Sequence, residues 1–455
     1  MGRRPRGGGT IWIGIDDTDS PRGGCTTWVL TELLRLGREE GVDLLGEPRL
    51  VRLNPNIPWK TRGNAALAAR FGHGRGPRRK VGEVAGRTVW SYAEGGPLSE
   101  AEGRRFRAAA WARVLAGSRT GERGTDPALV AIDHRLPAEG YWRAVREVVA
   151  VGDVRRLLDE HGAWYRTRGS RRGLIGAAAA IAWPGRRVTW ELIAYRTAER
   201  VGRQRSVDAA SVRAAARHYA SLFLCDDPRT RRLLVAPHTD CPILFGLRST
   251  RRSPLPAARE RIRSEPVDRW VVFRTNQASG DHLVDRAWAE TSPFSSARFR
   301  ATVRDWPTAG AGGHVRIPLF DPLGRPVDAI AFEPTKTLPR VVASLIPGDR
   351  ALVWGSRGTD PVLRLEGIRL VRLLPRYART RPPRCPDCGR STSSLGRGRG
   401  FRCPGCRRRF PPEAATRAAT PPRFPLGEYH PTPSARRHLA LRAPESAETR
   451  ATESF

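Results

Sequence analysis

Long apolar runs are missing from this sequence, and that absence limits what the protein can be. Nowhere in the 455 residues does an apolar stretch approach the ~18 residues that a membrane-spanning helix needs. The first ten residues are rich in Gly and Arg, and no apolar signal segment follows them. We therefore expect a cytoplasmic protein that does not bind membranes.

Lysine is nearly absent, since only Lys60, Lys80 and Lys336 occur among 80 basic residues. Against 45 acidic residues the arginines give a net charge of +35. A charge of this size attracts polyanions, and in a cytoplasmic chain it predicts a nucleic-acid partner. The alternative is the compositional bias of a GC-rich genome. Because that bias favours Arg, a remaining Lys indicates a need for a compact point charge.

Cysteine is sparse, and four of the seven cysteines form two CxxC knuckles separated by 14 residues. The knuckles are Cys385, Cys388, Cys403 and Cys406. Four thiolates at this spacing predict a structural zinc ribbon with no open ligand position, rather than two disulfides. Cys25, Cys225 and Cys241 are isolated, and we expect them to be small buried side chains.

The length predicts two to four domains, and the patterns differ along the chain. Five short strand patterns upstream of the ribbon, with a helical segment at 338–345, favour an OB-fold barrel over an SH3-like barrel. They are 298–303, 314–320, 327–332, 350–354 and 362–370. Residues 141–270 alternate helix and strand, which predicts an α+β sandwich. Its predicted elements are an amphipathic stretch at 142–160, an apolar run at 174–183, a strand at 189–195, a helix at 207–222 and a strand at 232–236. Residues 411–455 are rich in Pro, Arg and Thr, and we expect them to be mostly irregular.

An acidic turn follows the first predicted strand, at 10–15. Asp16, Asp17 and Asp19 place three carboxylates within four residues, where they repel one another unless a cation lies among them. This pattern predicts a Mg²⁺ site, and a solvated polar turn is the alternative.

A glycine pair and two threonines come next and begin a helix at 28–40. Gly23 and Gly24 allow close approach of the backbone, and Thr26 and Thr27 fall at the helix N-terminus, where a phosphate is favoured. Ordinary N-capping is the alternative for the threonines. No Walker A motif is present, so an ATP site here is not of the P-loop type.

A stiff loop at 53–64, rich in Asn and Pro, carries two cations. Lys60 and Arg62 with neighbouring amides such as that of Asn64 form a set suited to phosphate oxygens and a nucleobase. The alternative is a basic surface loop.

These motifs resemble one family, the archaeal agmatinylcytidine synthetases that modify an isoleucine tRNA (TiaS). The similar stretches are GIDDTDS and GGCTT within 14–27, RLNPNIPWKTRGN at 52–64, RGLIGA at 172–177, ELIAYR at 191–196, CPILFGLR at 241–248, EPVDRW at 265–270, TNQASGDHL at 275–283, AFEPTKT at 331–337 and PSARRHL at 433–439. They span almost the whole chain, in the family's order. The resemblance is weakest at 73–124.

The resemblance implies a multidomain α+β fold in five segments. They are a kinase-like catalytic domain (1–140), a ferredoxin-like α/β sandwich (141–270), an OB-fold β-barrel (271–375), a C-terminal zinc ribbon (376–415) and a basic tail (416–455).

The implied activity is the ATP-dependent ligation of agmatine to C2 of the wobble cytidine in an isoleucine tRNA with a CAU anticodon. ATP is cleaved to AMP, and the C2 oxygen is activated by phosphorylation. Thr26 matches the threonine that becomes phosphorylated in the family, with Thr27 beside it. Asp16, Asp17 and Asp19 match the motif for Mg²⁺ and the ATP phosphates, and any one of them is a candidate base.

Further residues follow from the resemblance and the patterns together. The expected ATP and phosphate contacts are Thr18, Gly23, Gly24, Lys60, Arg62 and Asn64. The agmatine candidates are Gly173, Gly176, Asp226 and Asp240, and the tRNA candidates are Lys336, Arg397, Arg399, Arg402, Arg436 and Arg437. No obligate protein partner is expected.

Two other functions compete with the synthetase. One is a non-catalytic protein that binds RNA or single-stranded DNA through the barrel and ribbon. The clustered acids argue against it, because they repel nucleic acid. The other is a small-molecule kinase, against which the ribbon and the charge argue.

Overall fold

The structure, a computed structural model, describes residues 9–122, 124–377, 381–415 and 419–441. The strands are β1 Ile11–Asp16, β2 Asp43–Arg52, β3 Ala65–Val84, β4 Arg87–Gly96, β5 Ala128–Ile132, β6 Trp164–Thr167, β7 Thr189–Arg196, β8 Leu222–Phe223, β9 Asp226–Asp227, β10 Arg232–Leu233, β11 Ile243–Ser249, β12 Val267–Thr275, β13 Leu283–Asp285, β14 Ser296–Val303, β15 Thr308–Ala309, β16 Val315–Phe320, β17 Pro326–Ala331, β18 Arg350–Arg357, β19 Leu363–Arg372, β20 Arg376–Tyr377, β21 Ser393–Ser394, β22 Phe401–Arg402, β23 Arg409–Phe410, β24 Ala419–Thr420 and β25 Gly427–Tyr429. The α-helices are α1 Thr26–Glu39, α2 Glu100–Ala116, α3 Ala138–Arg146, α4 Val151–Glu160, α5 Gly173–Ala182, α6 Ala209–His218, α7 Leu255–Glu260 and α8 Thr337–Val342.

A ten-stranded sheet joins the first half of the chain. Its order is β6-β5-β1-β3-β4-β2-β12-β7-β11-β8. Strand β1 lies between β3 and β5 and is antiparallel to both. Because β1 is internal, the acidic turn at its carboxyl end is held by paired strands on both sides.

Helices cover both faces of this sheet near β1. Ile11, Ile13 and Ile15 alternate along β1 and are buried with α1 and α2 on one face. On the other face α5 is buried at nine of its ten positions, and its sequence is mostly Ala and Gly. Small residues let α5 lie unusually close to β1: a side chain at Gly14 would place its Cβ 2.2 Å from the Ala177 carbonyl oxygen.

Strands β14 and β16 to β19 form a closed barrel. Its ring runs β14-β18-β19-β17-β16 and closes through a β14 to β16 pairing, and only β17 and β19 are parallel neighbours within the ring. Helix α8 lies between β17 and β18 in the chain, which confirms the five predicted strands and the predicted helix.

Three predictions for 141–270 need correction. The amphipathic stretch at 142–160 is two helices, α3 and α4, because the Val148-Val149 pair between them favours extended backbone. The predicted helix at 207–222 begins after Asp208, whose carboxylate accepts bonds from Ala210 and Ser211, and it ends earlier, at His218. The predicted strand at 232–236 is only the two-residue β10.

The knuckle region and the tail are built from short pieces. Strands β21 to β23 form a small three-stranded sheet beside the four cysteines. Within 419–441 most residues are irregular, as predicted, but β25 pairs with β19 of the barrel. Among the described residues, no helix combines the length and apolarity needed to span a bilayer.

Candidate functional site

The acidic turn holds two half-buried carboxylates that repel each other. Asp17 has a φ of 62°, and its N–H donates to Asp16 Oδ1 at 2.7 Å. Burial, and then the charge of Asp17, raise the pKa of Asp16 well above its usual range. Burial, and then the charges of Asp126 and Asp19, raise the pKa of Asp17 to about 7. Half-buried carboxylate oxygens that repel one another fit a hard cation such as Mg²⁺, which would restore their ionised form.

Asp19 faces the N-terminus of α1 and contacts Thr26. Its Oδ1 accepts the Thr26 N–H at 2.7 Å and lies 3.1 Å from Thr26 Oγ1. Thr18 Oγ1 donates to the same threonine oxygen at 3.1 Å. The Thr26 hydroxyl is thus held against one carboxylate, the arrangement that a general base needs. Thr27 points elsewhere, with Oγ1 at 2.9 Å from Cys25 Sγ.

Arg62 fixes the glycine turn from the loop at 53–64. Its Nη2 donates to the carbonyl oxygens of Gly23 at 2.9 Å and Gly24 at 2.6 Å, and its Nε lies 3.6 Å from Asp19 Oδ2. Gly24 has a φ of 70°, and a Cβ there would lie 2.7 Å from the Thr18 carbonyl oxygen. Only glycine therefore fits this position without strain.

Lys60 and Asn64 come to the same place from the same loop. Lys60 Nζ donates to the carbonyl oxygens of Pro55 at 2.8 Å and Ile57 at 2.9 Å. Burial, and then the charge of Arg437, lower the pKa of Lys60. Asn64 Nδ2 donates to the Asn54 carbonyl oxygen at 3.0 Å, which closes the loop.

The N-terminal turn of α5 forms the opposite wall. A Cβ at Gly176 would lie 1.8 Å from Asp16 Oδ2, and one at Gly173 would lie 2.6 Å from the Asp126 carbonyl oxygen. Glycine at these two positions lets the helix reach the carboxylates. Arg172, just before the helix, lies 4.0 Å over the ring of Trp59.

One cavity unites these groups. Its lining includes Asp16, Asp17, Asp19, Thr26, Trp59, Lys60, Arg62, Asn64, Glu147, Arg172 and Gly176. It combines carboxylates for a cation, a hydroxyl held by a carboxylate, and cations for phosphate oxygens.

Residues at this cavity that were not predicted include Trp59 and Glu147 in its lining and Asp126 next to it. Asp126 lies just before β5, the neighbour of β1, and Ser170 and Gly173 crowd around it. Trp59 is 46% exposed at the cavity. Asp126 could have been predicted only from the pairing of β1 with β5. For Trp59, the only indication in the sequence is its position next to Lys60.

Other predicted residues lie outside the cavity. Asp226, in β9, forms an ion pair with Arg213 at 2.9 Å, and Asp240 is exposed. Neither belongs to the cavity lining. The structure therefore brings Gly173 and Gly176, but not the two aspartates, to the acidic turn.

The predicted tRNA residues fall into two environments. Arg397 and Arg399 are exposed and Arg402 is half-buried, all three on the ribbon. Lys336 forms an ion pair with Glu333, Arg436 donates to the Pro431 carbonyl oxygen, and Arg437 pairs with Glu366 at 2.9 Å.

The four knuckle cysteines converge as a metal site requires. Their sulfur atoms all lie within 4.8 Å of one another, and the pairs Cys385 with Cys406 and Cys388 with Cys403 are 3.3 and 3.4 Å apart. Four thiols at this spacing fit one tetrahedral Zn²⁺. The three isolated cysteines are buried, as predicted.

Comparison with protein families gives three matches that together cover most of the chain. They are the TiaS TCKD domain at residues 12–168, the TiaS FLD domain at 171–282 and the TiaS C-terminal zinc ribbon domain at 382–417. This chain belongs to the TiaS family. Within it, the isoleucine-tRNA 2-agmatinylcytidine synthetase TiaS of Methanopyrus kandleri is 35% identical over 94% of this chain and 95% of its own length.

Solved TiaS structures share the whole fold. The crystal structure of a complex of TiaS with an isoleucine tRNA and ATP matches with a TM-score of 0.81 and 31% identity, over 95% of this chain and 96% of that one. A complex of TiaS with an isoleucine tRNA, AMPCPP and agmatine matches with a TM-score of 0.78 and 29% identity over the same shares. The family and the multidomain α+β fold with a zinc ribbon are thereby established.

Proposed function

We propose that this chain is an ATP-dependent ligase that joins agmatine to C2 of the wobble cytidine in an isoleucine tRNA with a CAU anticodon, releasing AMP. The observation that carries this proposal is the Thr26 hydroxyl, held 3.1 Å from Asp19 Oδ1 in a cavity with two more carboxylates and Lys60. Membership of the TiaS family and the name of its Methanopyrus kandleri member support the substrates.

The chemistry requires activation of the C2 oxygen. An amine does not displace this oxygen directly, because oxide is a very poor leaving group, whereas phosphate leaves readily. A kinase step and an amine attack therefore belong together in one site.

Each of the cavity residues has a separate role in phosphoryl transfer. Asp19 accepts the Thr26 proton, Thr26 takes the γ-phosphoryl group of ATP, and ADP is the leaving group. Hydrolysis of this ADP then gives AMP and phosphate. Asp16 and Asp17 would hold Mg²⁺, which would supply positive charge against the ATP phosphates. Lys60 stabilises negative charge on the transferring group, and Arg62 keeps the glycine turn in place.

Agmatine carries two cationic ends, so its pocket needs carboxylates. We place it against the wall at Gly173 and Gly176, where the acidic turn is within reach. Asp226 and Asp240 remain the alternative contacts.

The remaining units bind the tRNA in this proposal. We assign the kinase-like domain to 1–140, the ferredoxin-like domain to 141–270, the OB-fold to 271–375, the ribbon to 376–415 and the tail to 416–455. The ring order of the barrel, with α8 between β17 and β18, supports the OB-fold assignment. We assign Arg397, Arg399 and Arg402 as the ribbon's phosphate contacts. We also propose a cytoplasmic location, which a tRNA substrate supports.

An incorporation assay tests the function. Labelled agmatine is incubated with the protein, Mg²⁺, ATP and the unmodified tRNA, with ATP omitted in one arm and a GAU anticodon used in another. We expect label in the tRNA only when ATP and CAU are both present. Tight tRNA binding without label in any arm would instead favour the non-catalytic RNA or single-stranded DNA binding protein.

A further inference from the structure

The end of the described chain returns to the loop at 53–64. We call residues 427–441 the C-terminal strap. It begins with β25 on the barrel, and the carbonyl oxygens of His438 and Leu439 accept bonds from the Ala278 and Gly280 N–H groups at 2.8 and 2.9 Å. Leu439 is 1% exposed and belongs to the core beneath α5. The strap is therefore docked on the molecule itself, with no partner required.

Arg437 in the strap connects the barrel to the loop at 53–64. Its Nη1 lies 2.9 Å from Glu366 Oε1 and donates to Asn56 Oδ1. Glu366 lies in β19, and its other oxygen lies 2.9 Å from His282 Nε2. Burial alone would raise the pKa of Glu366, but the charges of Arg437 and His282 lower it to about 2. The carboxylate that anchors Arg437 thus stays ionised at cellular pH.

Asn56 connects Arg437 to the turn of the loop at 53–64 that holds Lys60. Its side-chain Nδ2 donates to Ser296 Oγ at 2.9 Å, and its backbone N–H donates to Asn54 Oδ1 at 2.9 Å. Both the side chain and the backbone of Asn56 are therefore held in place. Residues 55 and 57, on either side of it, supply the two carbonyl oxygens that hold Lys60 Nζ. A displaced Asn56 would move both of them.

We propose that Arg437 is a positioning residue, which holds Asn56 and thereby the turn that places Lys60 in the cavity. The sequence predicts a tRNA phosphate contact for Arg437, but this side chain is engaged by Glu366 and Asn56 and is only 37% exposed. The inference rests on the proposed function for its catalytic consequence, and on geometry alone for its effect on ATP binding.

The test compares Arg437→Ala, Arg437→Lys and Asn56→Ala with Arg423→Ala, which removes the same charge from an exposed position in the tail. Three quantities are measured: the dissociation constant for the tRNA, that for Mg·ATP without tRNA, and the single-turnover modification rate at saturating tRNA. Arg437→Ala should lower the rate ~10- to 100-fold, because small misplacements have effects of that size. It should weaken ATP binding several-fold and leave tRNA binding within about twofold.

Two comparisons separate positioning from a merely structural role. Arg437→Lys should recover part of the rate, since one ammonium can serve the contacts that Nη1 makes. The Arg437→Ala/Asn56→Ala double variant should lose no more than the worse single variant, because both act through one contact. Glu366→Gln, which removes the anchoring charge, should lose rate as well, and it provides a second variant if Arg437→Ala unfolds.

Three outcomes would overturn the inference. Weaker tRNA binding with an unchanged rate at saturation would make Arg437 a phosphate contact. If all three quantities were unchanged in Arg437→Ala, Arg437 would not position the loop. If the rate losses of the two single variants added up in the double variant, Arg437 would not act through Asn56. If the wild-type protein formed no product, the proposed function would be refuted. The dissociation constants for Mg·ATP without tRNA would then still show whether Arg437 positions the loop.

Discussion

At the residue scale, the cavity depends on backbone approach as much as on charged side chains. Gly176 shows this, because a Cβ there would overlap Asp16 Oδ2 at 1.8 Å. We expect Gly176→Ala to displace Asp16 and lower the modification rate at least ~10-fold while the protein stays folded.

A matched substitution provides the control for that prediction. Gly103 lies in α2 with nothing within 4 Å of its would-be Cβ. Gly103→Ala should therefore leave the rate unchanged and raise the free energy of unfolding by ~0.5–1 kcal/mol. Equal activity of the two variants would show that the α5 approach is dispensable.

Asp17 should cost stability when it is ionised. Its folded pKa of about 7 lies above the ordinary value of 3.8, so the folded state loses stability as pH rises between these values. Without divalent cations, Asp17→Asn should raise the free energy of unfolding at pH 8 by at least about 1 kcal/mol, and by much less at pH 4.5. Urea denaturation at the two pH values measures this. An equal gain at both would contradict the assignment.

Sequence reasoning finds residues that lie close together in the chain. Asp16, Asp19, Thr26 and Lys60 occur in two short motifs, and the structure brings them into one cavity. Asp126 was missed because only the pairing of β5 with β1 brings it near Asp17.

At the element scale, repeated short patterns predict more than single ones. All five barrel strands and α8 occur where turn signals and alternation place them. The stretch at 142–160 has one amphipathic pattern but forms two helices, because hydrophobic periodicity does not register a break at Val148-Val149. The pairing of β25 with β19 joins distant segments, which no local pattern encodes.

We expect the zinc ribbon to fold only when Zn²⁺ is bound to its four cysteines. Cys403→Ser should lower the bound zinc from about one ion per chain toward zero and weaken tRNA binding ~10-fold or more. Metal analysis and a tRNA titration measure the two effects, with Ser394→Ala on the same small sheet as control. Full zinc retention in Cys403→Ser would contradict a four-thiolate site.

At the scale of the whole molecule, the charge of +35 should appear as salt-dependent tRNA binding. Replacing exposed Arg397 and Arg399 by Ala should reduce the slope of log K against log salt by ~1–2. Replacing Arg104 and Arg105 on α2 changes the net charge equally, but it should leave the slope nearly unchanged. Equal effects would mean that overall charge, rather than the ribbon, binds the tRNA.

The ligation requires Thr26 in the acidic cavity, and mass spectrometry of the wobble nucleoside measures this requirement. The tRNA is incubated with ATP, Mg²⁺ and agmatine and with wild-type protein, Thr26→Ala or Thr27→Ala. We predict a mass gain of agmatine minus water with the wild type, none with Thr26→Ala, and most of the product with Thr27→Ala, because Thr27 faces Cys25 instead of the cavity. Full modification by Thr26→Ala would show that the reaction does not need the Thr26 hydroxyl.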